Sequence, residues 1–252
     1  MYRPRVIPVL LLKGSGLVKS IKFKSHKYIG DPINASRLFD EFGADEIVLL
    51  DITASKRAEP ISLNLVRSLG DELSIPFSVG GGITKLQEIE ERLESGAERV
   101  ILNTIATRDL DFVRLAVNHF GSSSIAVCVD VKIHMWHGWR VYSHVESRCL
   151  DIRIEDYIRR LQAHQVGEII IQSIDRDGTM GGYDKSLVKL AVECCQCPVV
   201  ALGGAVSVDD IHSLGELTSC SGYAAGSIFL YGSKNRGVLI NYPDSLTLRS
   251  IR

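Results

Sequence analysis

The sequence predicts a (β/α)8 barrel built from two similar half-barrels, and three observations lead to this prediction. The chain has 252 residues, a length typical of this fold, and 45% of them are hydrophobic. Short apolar runs alternate with amphipathic segments, which is the pattern of parallel strands buried on both faces and each followed by a helix. The two halves of the chain also match element by element. We therefore expect a single domain over residues 1–252, with half-barrels at about 1–121 and 122–252.

The predicted strands are short runs rich in valine, isoleucine and leucine. They cover residues 6–12, 46–51, 75–79, 99–102, 125–129, 168–172, 198–201 and 223–225. Helices are expected between them, at residues 32–42, 63–73, 84–95, 109–119, 154–165 and 183–195, with a short one after Ser207. The first helix is the best marked, because Asp31 can cap it, Pro32 suits its first position and Gly43 ends it.

Two connections differ from ordinary turns. Residues 13–19 contain two glycines and are predicted to form a flexible loop. Residues 135–139 belong to a polar insert that we expect to form a small hairpin turning at Gly138.

The internal repeat distinguishes a barrel from an open doubly wound sheet, the alternative for such a pattern. Residues 43–48 match 166–170, residues 76–81 match 198–204, and residues 95–100 match 221–226. Two fourfold halves that face each other close a ring, whereas an open sheet gives no reason for this symmetry.

Charge and cysteine content exclude several classes of protein. The formal net charge is −1, so no overall field favours nucleic acid or an anionic membrane as a partner. The apolar run 6–12 is too short to span a bilayer and lacks a following signal cleavage site, so we expect a cytoplasmic protein. Cys194, Cys195 and Cys197 resemble half a metal site, but free thiols are favoured because no second pair lies at zinc-finger spacing.

Glycines and small polar residues follow the strands in both halves. Residues 80–82 and 203–204 are glycine runs whose amides can approach an anion closely, although such glycines can also serve tight turns alone. The next strand in each half ends in further amide and hydroxyl groups, at Asn103, Thr104, Gly226 and Ser227. Two symmetry-related sets predict two phosphate sites, and hence a long ligand with a phosphate at each end.

Ionisable side chains should gather between these two sites, at the mouth of the barrel. They are Asp51, Asp130, Asp175 and Asp177, with Lys13, Lys19 and Lys132 nearby. A carboxylate at a strand end in a barrel mouth is the usual position of a general acid or base. The alternative for each carboxylate is that it caps a loop.

Several motifs in register resemble the cyclase subunit of imidazole glycerol phosphate synthase. They lie at residues 30–32, 50–55, 77–83, 103–104 and 173–179, and the resemblance runs from Arg5 to about Phe229. It implies a barrel whose glutaminase partner supplies ammonia through the barrel core. At the mouth, ammonia would meet a bis-phosphorylated aminoimidazole ribonucleotide, giving imidazole glycerol phosphate and an aminoimidazole carboxamide ribotide. No metal or redox cofactor is implied.

The resemblance also implies roles for individual residues. Asp130 and Asp177 fall on mouth aspartates, with Asp177 as one of the catalytic pair, and Lys19 falls on a loop lysine that closes on substrate. Asp51 is grouped with the substrate-binding residues, and the phosphate loops would comprise Gly82, Asn103, Thr104, Gly178, Gly204, Gly226 and Ser227. The ammonia entrance would be ringed by Arg5, Glu46 and Glu168, with Arg99 in place of a lysine.

Apart from Arg99, the departures from the family pattern lie at the mouth, where the chemistry would take place. Leu11 stands where the other catalytic aspartate would be, Gln172 replaces a small hydroxyl residue, and Leu202 replaces a serine. Residues 146–151 also lack the usual threonine–glycine pattern. Paralogues in bacterial surface-polysaccharide pathways look like ammonia suppliers to a separate sugar-modifying amidotransferase. Two hypotheses therefore stand: a cyclase and lyase of histidine biosynthesis, or an altered barrel that activates a glutaminase and conducts ammonia onward.

Overall fold

A computed structural model describes residues 3–232, 237–249 and 251. Its strands, in chain order, are β1 (Arg5–Lys13), β2 (Gly16–Ile21), β3 (Lys24–Gly30), β4 (Ile47–Asp51), β5 (Phe77–Gly80), β6 (Arg99–Leu102), β7 (Ile125–His134), β8 (Gly138–Ser143), β9 (Arg148–Arg153), β10 (Glu168–Ser173), β11 (Val199–Leu202) and β12 (Gly222–Ala225). Its α-helices are α1 (Pro32–Glu41), α2 (Ala54–Arg57), α3 (Leu63–Glu72), α4 (Leu86–Glu94), α5 (Thr104–Arg108), α6 (Leu110–Phe120), α7 (Ile154–Ala163), α8 (Lys185–Cys194), α9 (Val208–Gly215), α10 (Ser227–Leu230) and α11 (Ser245–Arg249).

Eight parallel strands close into a barrel, which confirms the predicted fold class. They follow the order β1, β4, β5, β6, β7, β10, β11 and β12. The ring closes because β12 pairs in parallel with β1, Pro8 opposite Ala225, so the sheet is not open. Helices on the outside cover the apolar faces that the strands turn away from the barrel axis.

Apolar side chains fill much of the barrel interior, and this cluster is separate from the core under the helices. Because side chains alternate along a strand, residues two apart share the interior face. The interior cluster comprises Ile7, Val9, Leu11, Val18, Val48, Ile101, Ala126, Cys128, Ile170, Val200, Leu202 and Ala224. Cys128 thus faces the interior, two residues before Asp130 on the same strand.

The loop prediction for residues 13–19 is wrong, because this segment belongs to a β-hairpin. β1 continues past the barrel and pairs antiparallel with β2, which pairs with β3. Leu17 and Val18 are 0% and 6% exposed, so burial of two apolar side chains fixes a segment whose glycines indicated flexibility. We call residues 16–30 the mouth hairpin.

The second hairpin is confirmed and is larger than expected. β7 pairs antiparallel with β8 around a turn in which Gly138 has a φ of +68°. A third strand, β9, adds to this ribbon. In the described part of the chain, no helix has the length and apolar character needed to span a membrane.

Candidate active site at the mouth of the barrel

A cavity of about 310 Å³ opens at the carboxyl ends of the barrel strands. We call it the mouth cavity, and this end of the barrel carries the active site in enzymes of this fold. Its floor is largely apolar, with Leu11, Leu50, Ile101 and Cys128 among the lining side chains. Its polar lining includes Ser20, His26, Asp51, Ser55, Asn103, Thr104, Asp130, His144 and Gln172, together with Lys13 and Lys56.

Asp130 is the buried carboxyl group that faces this cavity. Its Oδ2 atom accepts a hydrogen bond of 2.8 Å from Asn103 Nδ2 and lies 3.4 Å from His144 Nε2. Burial raises the pKa of Asp130 to about 7, and the nearby charge of Asp177 acts in the same direction against the Asn103 hydrogen bond. A carboxyl group that titrates near neutrality can both donate and accept a proton under ordinary conditions.

Asp177 lies beside the mouth cavity, in a smaller pocket with Lys19 and glycines 203, 204 and 226. Burial raises the pKa of Asp177, opposed by the charge of Lys19, and burial lowers the pKa of Lys19, opposed by Asp177. The two carboxylates predicted to be catalytic in this chain, Asp130 and Asp177, therefore line neighbouring pockets. The carboxylate that shares a cavity with Leu11 is Asp130.

Lys19 reaches into the second glycine set, which comprises Gly203, Gly204, Gly226 and Ser227. A Cβ on Gly226 would collide with Lys19 Nζ, so the glycine leaves the space that the ammonium group fills. Gly203 and Gly204 both have a φ of +101°, which favours glycine. The structure thus brings together Lys19, Gly204, Gly226 and Ser227, with Leu202 also in the lining.

The mouth hairpin is docked on the loop after β10. The N–H group of Lys22 donates a 2.9 Å hydrogen bond to the carbonyl oxygen of Asp177, and Ser20 Oγ lies 3.4 Å from Asp177 Oδ2. A Cβ on Gly178 would collide with the carbonyl oxygen of Ser20. Gly178 therefore allows the close approach that brings Lys19 over the mouth.

The first glycine set, residues 80–82 with Asn103 and Thr104, is only partly exposed to the mouth cavity. Gly81 and Thr104 line it, and Thr104 Oγ1 donates a 3.2 Å hydrogen bond to Ser55 Oγ, whereas Asn103 is directed to Asp130. Gly82 has a φ of +70° and packs behind the lining, where a Cβ would collide with the carbonyl oxygen of Glu59.

Two of the predicted mouth carboxylates hold loops, which was the alternative left open for each. Asp51 Oδ1 accepts hydrogen bonds from the N–H groups of Thr53 (2.9 Å) and Ala54 (3.1 Å), and Asp51 Oδ2 accepts one of 2.8 Å from Arg57. Asp175 Oδ2 accepts a 2.9 Å hydrogen bond from the N–H group of Ile133 and so fixes the end of β7.

The four predicted gate residues come together at the opposite, amino-terminal end of the barrel. Arg5 donates hydrogen bonds to both Glu46 and Glu168, and Arg99 Nη1 lies 3.3 Å from both carboxylate oxygens of Glu46. Ser78 Oγ adds a 2.6 Å hydrogen bond to Glu46, which is 2% exposed. Burial raises the pKa of Glu168, and the charge of Arg5 opposes this shift. We call Arg5, Glu46, Arg99 and Glu168 the gate ring.

A narrow cavity of about 10 Å³ lies in the barrel interior above the gate ring. Glu46, Ser78 and Glu168 line its lower end, and apolar side chains line the rest. A space of this size holds about one water-sized molecule. Leu50 and Ile101 line this cavity and the mouth cavity as well, so only a layer of side chains separates the two.

Two functional candidates were absent from the sequence prediction. Arg57 binds Asp51, and His144 contacts Asp130. The predicted hairpin turning at Gly138 contained a signal for His144. With His134 opposite Gly138 and Val131 opposite Val141, the chain leads back toward Asp130 just before residue 144.

The cysteine cluster lies at the amino-terminal side of β11. The sulfur atoms of Cys195 and Cys197 are 3.2 Å apart as free thiols. Within the described residues, no group of three or more histidine, cysteine, aspartate or glutamate side chains is arranged to hold a metal ion.

Comparison with known proteins gives consistent matches along the chain. The family described as "Histidine biosynthesis protein" matches residues 5–235. A Pseudomonas aeruginosa protein named "Putative imidazole glycerol phosphate synthase subunit hisF2" is 43% identical, with 97% of each chain covered. The "Imidazole glycerol phosphate synthase subunit HisF" of Thermococcus onnurineus is 39% identical over 92% of this chain and 91% of its own length. The protein of the same name from Anoxybacillus flavithermus is 36% identical over 92% of both chains.

Proposed function

The chain belongs to the histidine biosynthesis protein family, and on that basis we propose that it is the cyclase-type barrel subunit of an imidazole glycerol phosphate synthase. In this proposal a glutaminase subunit docks at the amino-terminal face of the barrel and releases ammonia there. The ammonia passes through the barrel and reacts at the mouth with a bis-phosphorylated aminoimidazole ribonucleotide. The products are imidazole glycerol phosphate and an aminoimidazole carboxamide ribotide.

The gate ring below a narrow interior cavity is the observation that carries this proposal. Two arginines and two glutamates are gathered at the end of the barrel remote from the mouth, where they contact one another. Above them the wall is apolar and the space fits a molecule of about the size of water, which is also the size of ammonia. Such a passage suits a small neutral molecule and excludes solvated ions, since an isolated charge in an apolar interior is costly.

The mouth supports the chemical half of the proposal. Asp130 titrates near neutrality, which suits the acid and base steps of ring closure and cleavage. Lys19, Gly204, Gly226 and Ser227 would bind one phosphate of the substrate. Gly81, Ser55 and Thr104, with Lys13 and Lys56, would bind the other.

The experiment has two parts. The first part tests whether a glutaminase docks on the barrel. It uses co-purification with a glutaminase of the same source and measures glutamine turnover with and without this chain. Formation of imidazole glycerol phosphate from the bis-phosphate and ammonium ions, followed by chromatography, tests the mouth. Absence of binding to any candidate glutaminase, together with no gain in its turnover, would contradict the ammonia-receiving role.

Leu11 favours a second candidate function. It is 6% exposed in the cavity that Asp130 faces, so an apolar group stands where the proposed reaction needs a proton-transferring one. In this alternative the chain is an altered paralogue. It activates the glutaminase and conducts ammonia to a separate amidotransferase, for example one that amidinates a nucleotide sugar or an O-antigen sugar. The two candidates share the gate ring and differ only at the mouth.

A further inference from the structure

His144 makes a contact that neither the family resemblance nor the proposed function uses. It follows β8, lines the mouth cavity, and has its Nε2 atom 3.4 Å from Asp130 Oδ2. The ring packs against Phe23 of the mouth hairpin, with centroids 4.6 Å apart, and against Tyr142, with centroids 5.1 Å apart. These two aromatic neighbours keep the imidazole beside the carboxyl group.

We propose that His144 is a positioning residue that shares a proton with Asp130 and lets this one carboxyl group serve both the acid and the base step beside Leu11. The catalytic part of this inference rests on the proposed cyclase function. The proton sharing itself is a property of the two side chains and needs no substrate.

Near neutral pH the His144 ring is uncharged, and the Asp130 carboxyl group is divided between its protonated and ionised forms. Burial raises the pKa of Asp130 to about 7, whereas burial and then the charge of Lys56 lower the pKa of His144 to about 4. Below pH 7 the protonated carboxyl group can therefore donate a hydrogen bond to Nε2 of the neutral ring. Above pH 7 the ring in its other tautomer can donate from Nε2 to the carboxylate.

The other groups around the pair do not provide this exchange. Asn103 hydrogen-bonds Asp130 but carries no titrating proton, and burial raises the pKa of the Cys128 thiol well above its usual value. Asp177 acts on Asp130 through its charge. Lys13, His26 and Lys56 line the same cavity, and the charge of Lys56 disfavours an imidazolium at His144, while burial, Lys13 and Lys56 lower the pKa of His26.

The proposed cycle conserves protons. In one step the Asp130 carboxyl group gives its proton to the substrate; the ring then takes a proton from water at Nε2, releases its Nδ1 proton to water, and donates from Nε2 to the carboxylate. In the other step the carboxylate takes a proton from the substrate and the ring reverses this exchange with water, so the pair ends in its starting state. One group would thus do the work that two carboxylates would otherwise divide.

The test is a 15N NMR titration of the histidine rings in the full chain. We expect His144 to remain uncharged between about pH 5.5 and 8.5 and to change tautomer where Asp130 titrates. Asp130→Asn should abolish this change, whereas His26→Gln, at another histidine of the same cavity, should leave it intact. A single tautomer throughout, or a charge taken up near the ordinary histidine pKa of about 6.5, would overturn the inference.

A second arm separates this inference from the proposed function. Turnover of the bis-phosphate with ammonium ions is measured against pH in His144→Gln, which keeps a hydrogen-bonding partner, and in His144→Leu, which keeps only packing. We expect the optimum near pH 7 to move by about one unit in His144→Leu and less in His144→Gln. A tautomer change without turnover in any variant would leave the pair standing and reject the cyclase. Normal turnover with an unmoved optimum in His144→Leu would reject the role of His144.

Discussion

The two ends of the barrel handle buried charge in opposite ways. At the gate ring, each buried glutamate is paired with an arginine, and Ser78 adds a hydrogen bond to Glu46. At the mouth, Asp130 is 5% exposed, accepts a hydrogen bond from Asn103 and lies 3.4 Å from His144, with no arginine or lysine contact among the described residues. Paired charges fix a structure, whereas a buried carboxyl group without a cation has a raised pKa and a proton to exchange. The same strands therefore have paired charges at one end, which we call the locked end. They have a carboxyl group with a proton to exchange at the other, which we call the reactive end.

The largest expected effect is at the reactive end. Asp130→Asn should lower cyclase turnover by about 10²–10⁴-fold, because a positioned general acid or base contributes about that much. Steady-state rates with the bis-phosphate and ammonium ions measure this loss. Glutaminase stimulation should be retained, since the gate ring is untouched. Equal loss of both activities would contradict the separation of the two ends.

The same variant should be more stable than the wild type at pH 8. The pKa of Asp130 is raised from 3.8 in the unfolded chain to about 7 in the fold, so the native state loses stability as pH rises through that window. Asparagine resembles the protonated form, and Asp130→Asn should gain about 2–4 kcal/mol at pH 8. Urea denaturation at pH 8 and at pH 4 measures this difference. A gain that persists undiminished at pH 4 would contradict the assignment.

Breaking the ion pairs of the gate ring should have an effect of comparable size. Arg5→Ala leaves Glu46 and Glu168 with less compensation, and loss of one partner of a buried ion pair typically costs about 3–5 kcal/mol. Urea denaturation measures the loss, and glutamine turnover of the complex should fall with it. Arg37→Ala is the matched control, since Arg37 pairs with Glu72 on an exposed surface and should cost less than about 1 kcal/mol. Equal costs for the two variants would show that the gate ring is not a buried network.

Leu11→Asp tests whether the mouth is still built for cyclisation. If the rest of the site accepts the substrate, the added carboxylate should raise turnover by about 10²-fold, or about 2.7 kcal/mol of barrier. Leu11→Asn controls for polarity without a titrating group. If Leu11→Asp gains nothing while Asp130→Asn and Asp177→Asn leave glutaminase activation intact, the barrel is an ammonia conduit. Wild-type turnover at rates normal for a biosynthetic enzyme would show that Leu11 is harmless.

The smallest expected effect concerns anions at the two glycine sets. Lys19→Met should weaken the binding of inorganic phosphate at Gly204 and Gly226 about tenfold, equivalent to about 1.4 kcal/mol, because the nearby ammonium group is lost. Phosphate titrations followed by 31P NMR measure this change. Thr104→Val should act only on the other set, which we expect to bind more firmly because Leu202 lines the Lys19 side. Tighter phosphate binding in Lys19→Met would contradict this prediction and would mean that the Lys19 side chain blocks the phosphate site at Gly204 and Gly226.

The positions of the barrel strands could be predicted because they depend on a local property. A strand covered on both faces needs a nearly continuous apolar run, and each such run is visible in the sequence. Parallel strands also place their ends on common edges. Glu46 and Glu168 each stand at the start of a predicted strand, so they had to lie at the same end of the barrel. Asp130 follows the end of another strand, so it had to lie at the opposite end.

The contacts that complete the mouth depend on partners far apart in the sequence. Ser20 and Asp177 are 157 residues apart, and the order of the mouth hairpin rests on burial of Leu17 and Val18 together with the fit of its backbone against Gly178. The same holds for Lys19 against Gly226. His144 approaches Asp130 only because the β7–β8 ribbon folds back over the cavity.

The sequence by itself therefore determined the barrel, its two ends and the residues assigned to each end. Burial of apolar runs and the direction of parallel strands are enough for that. Only the tertiary structure decided that Asp130 shares its cavity with Leu11 and His144 while Asp177 pairs with Lys19. Desolvation and hydrogen bonding set the pKa of a carboxyl group, and both depend on which side chains meet around it in space.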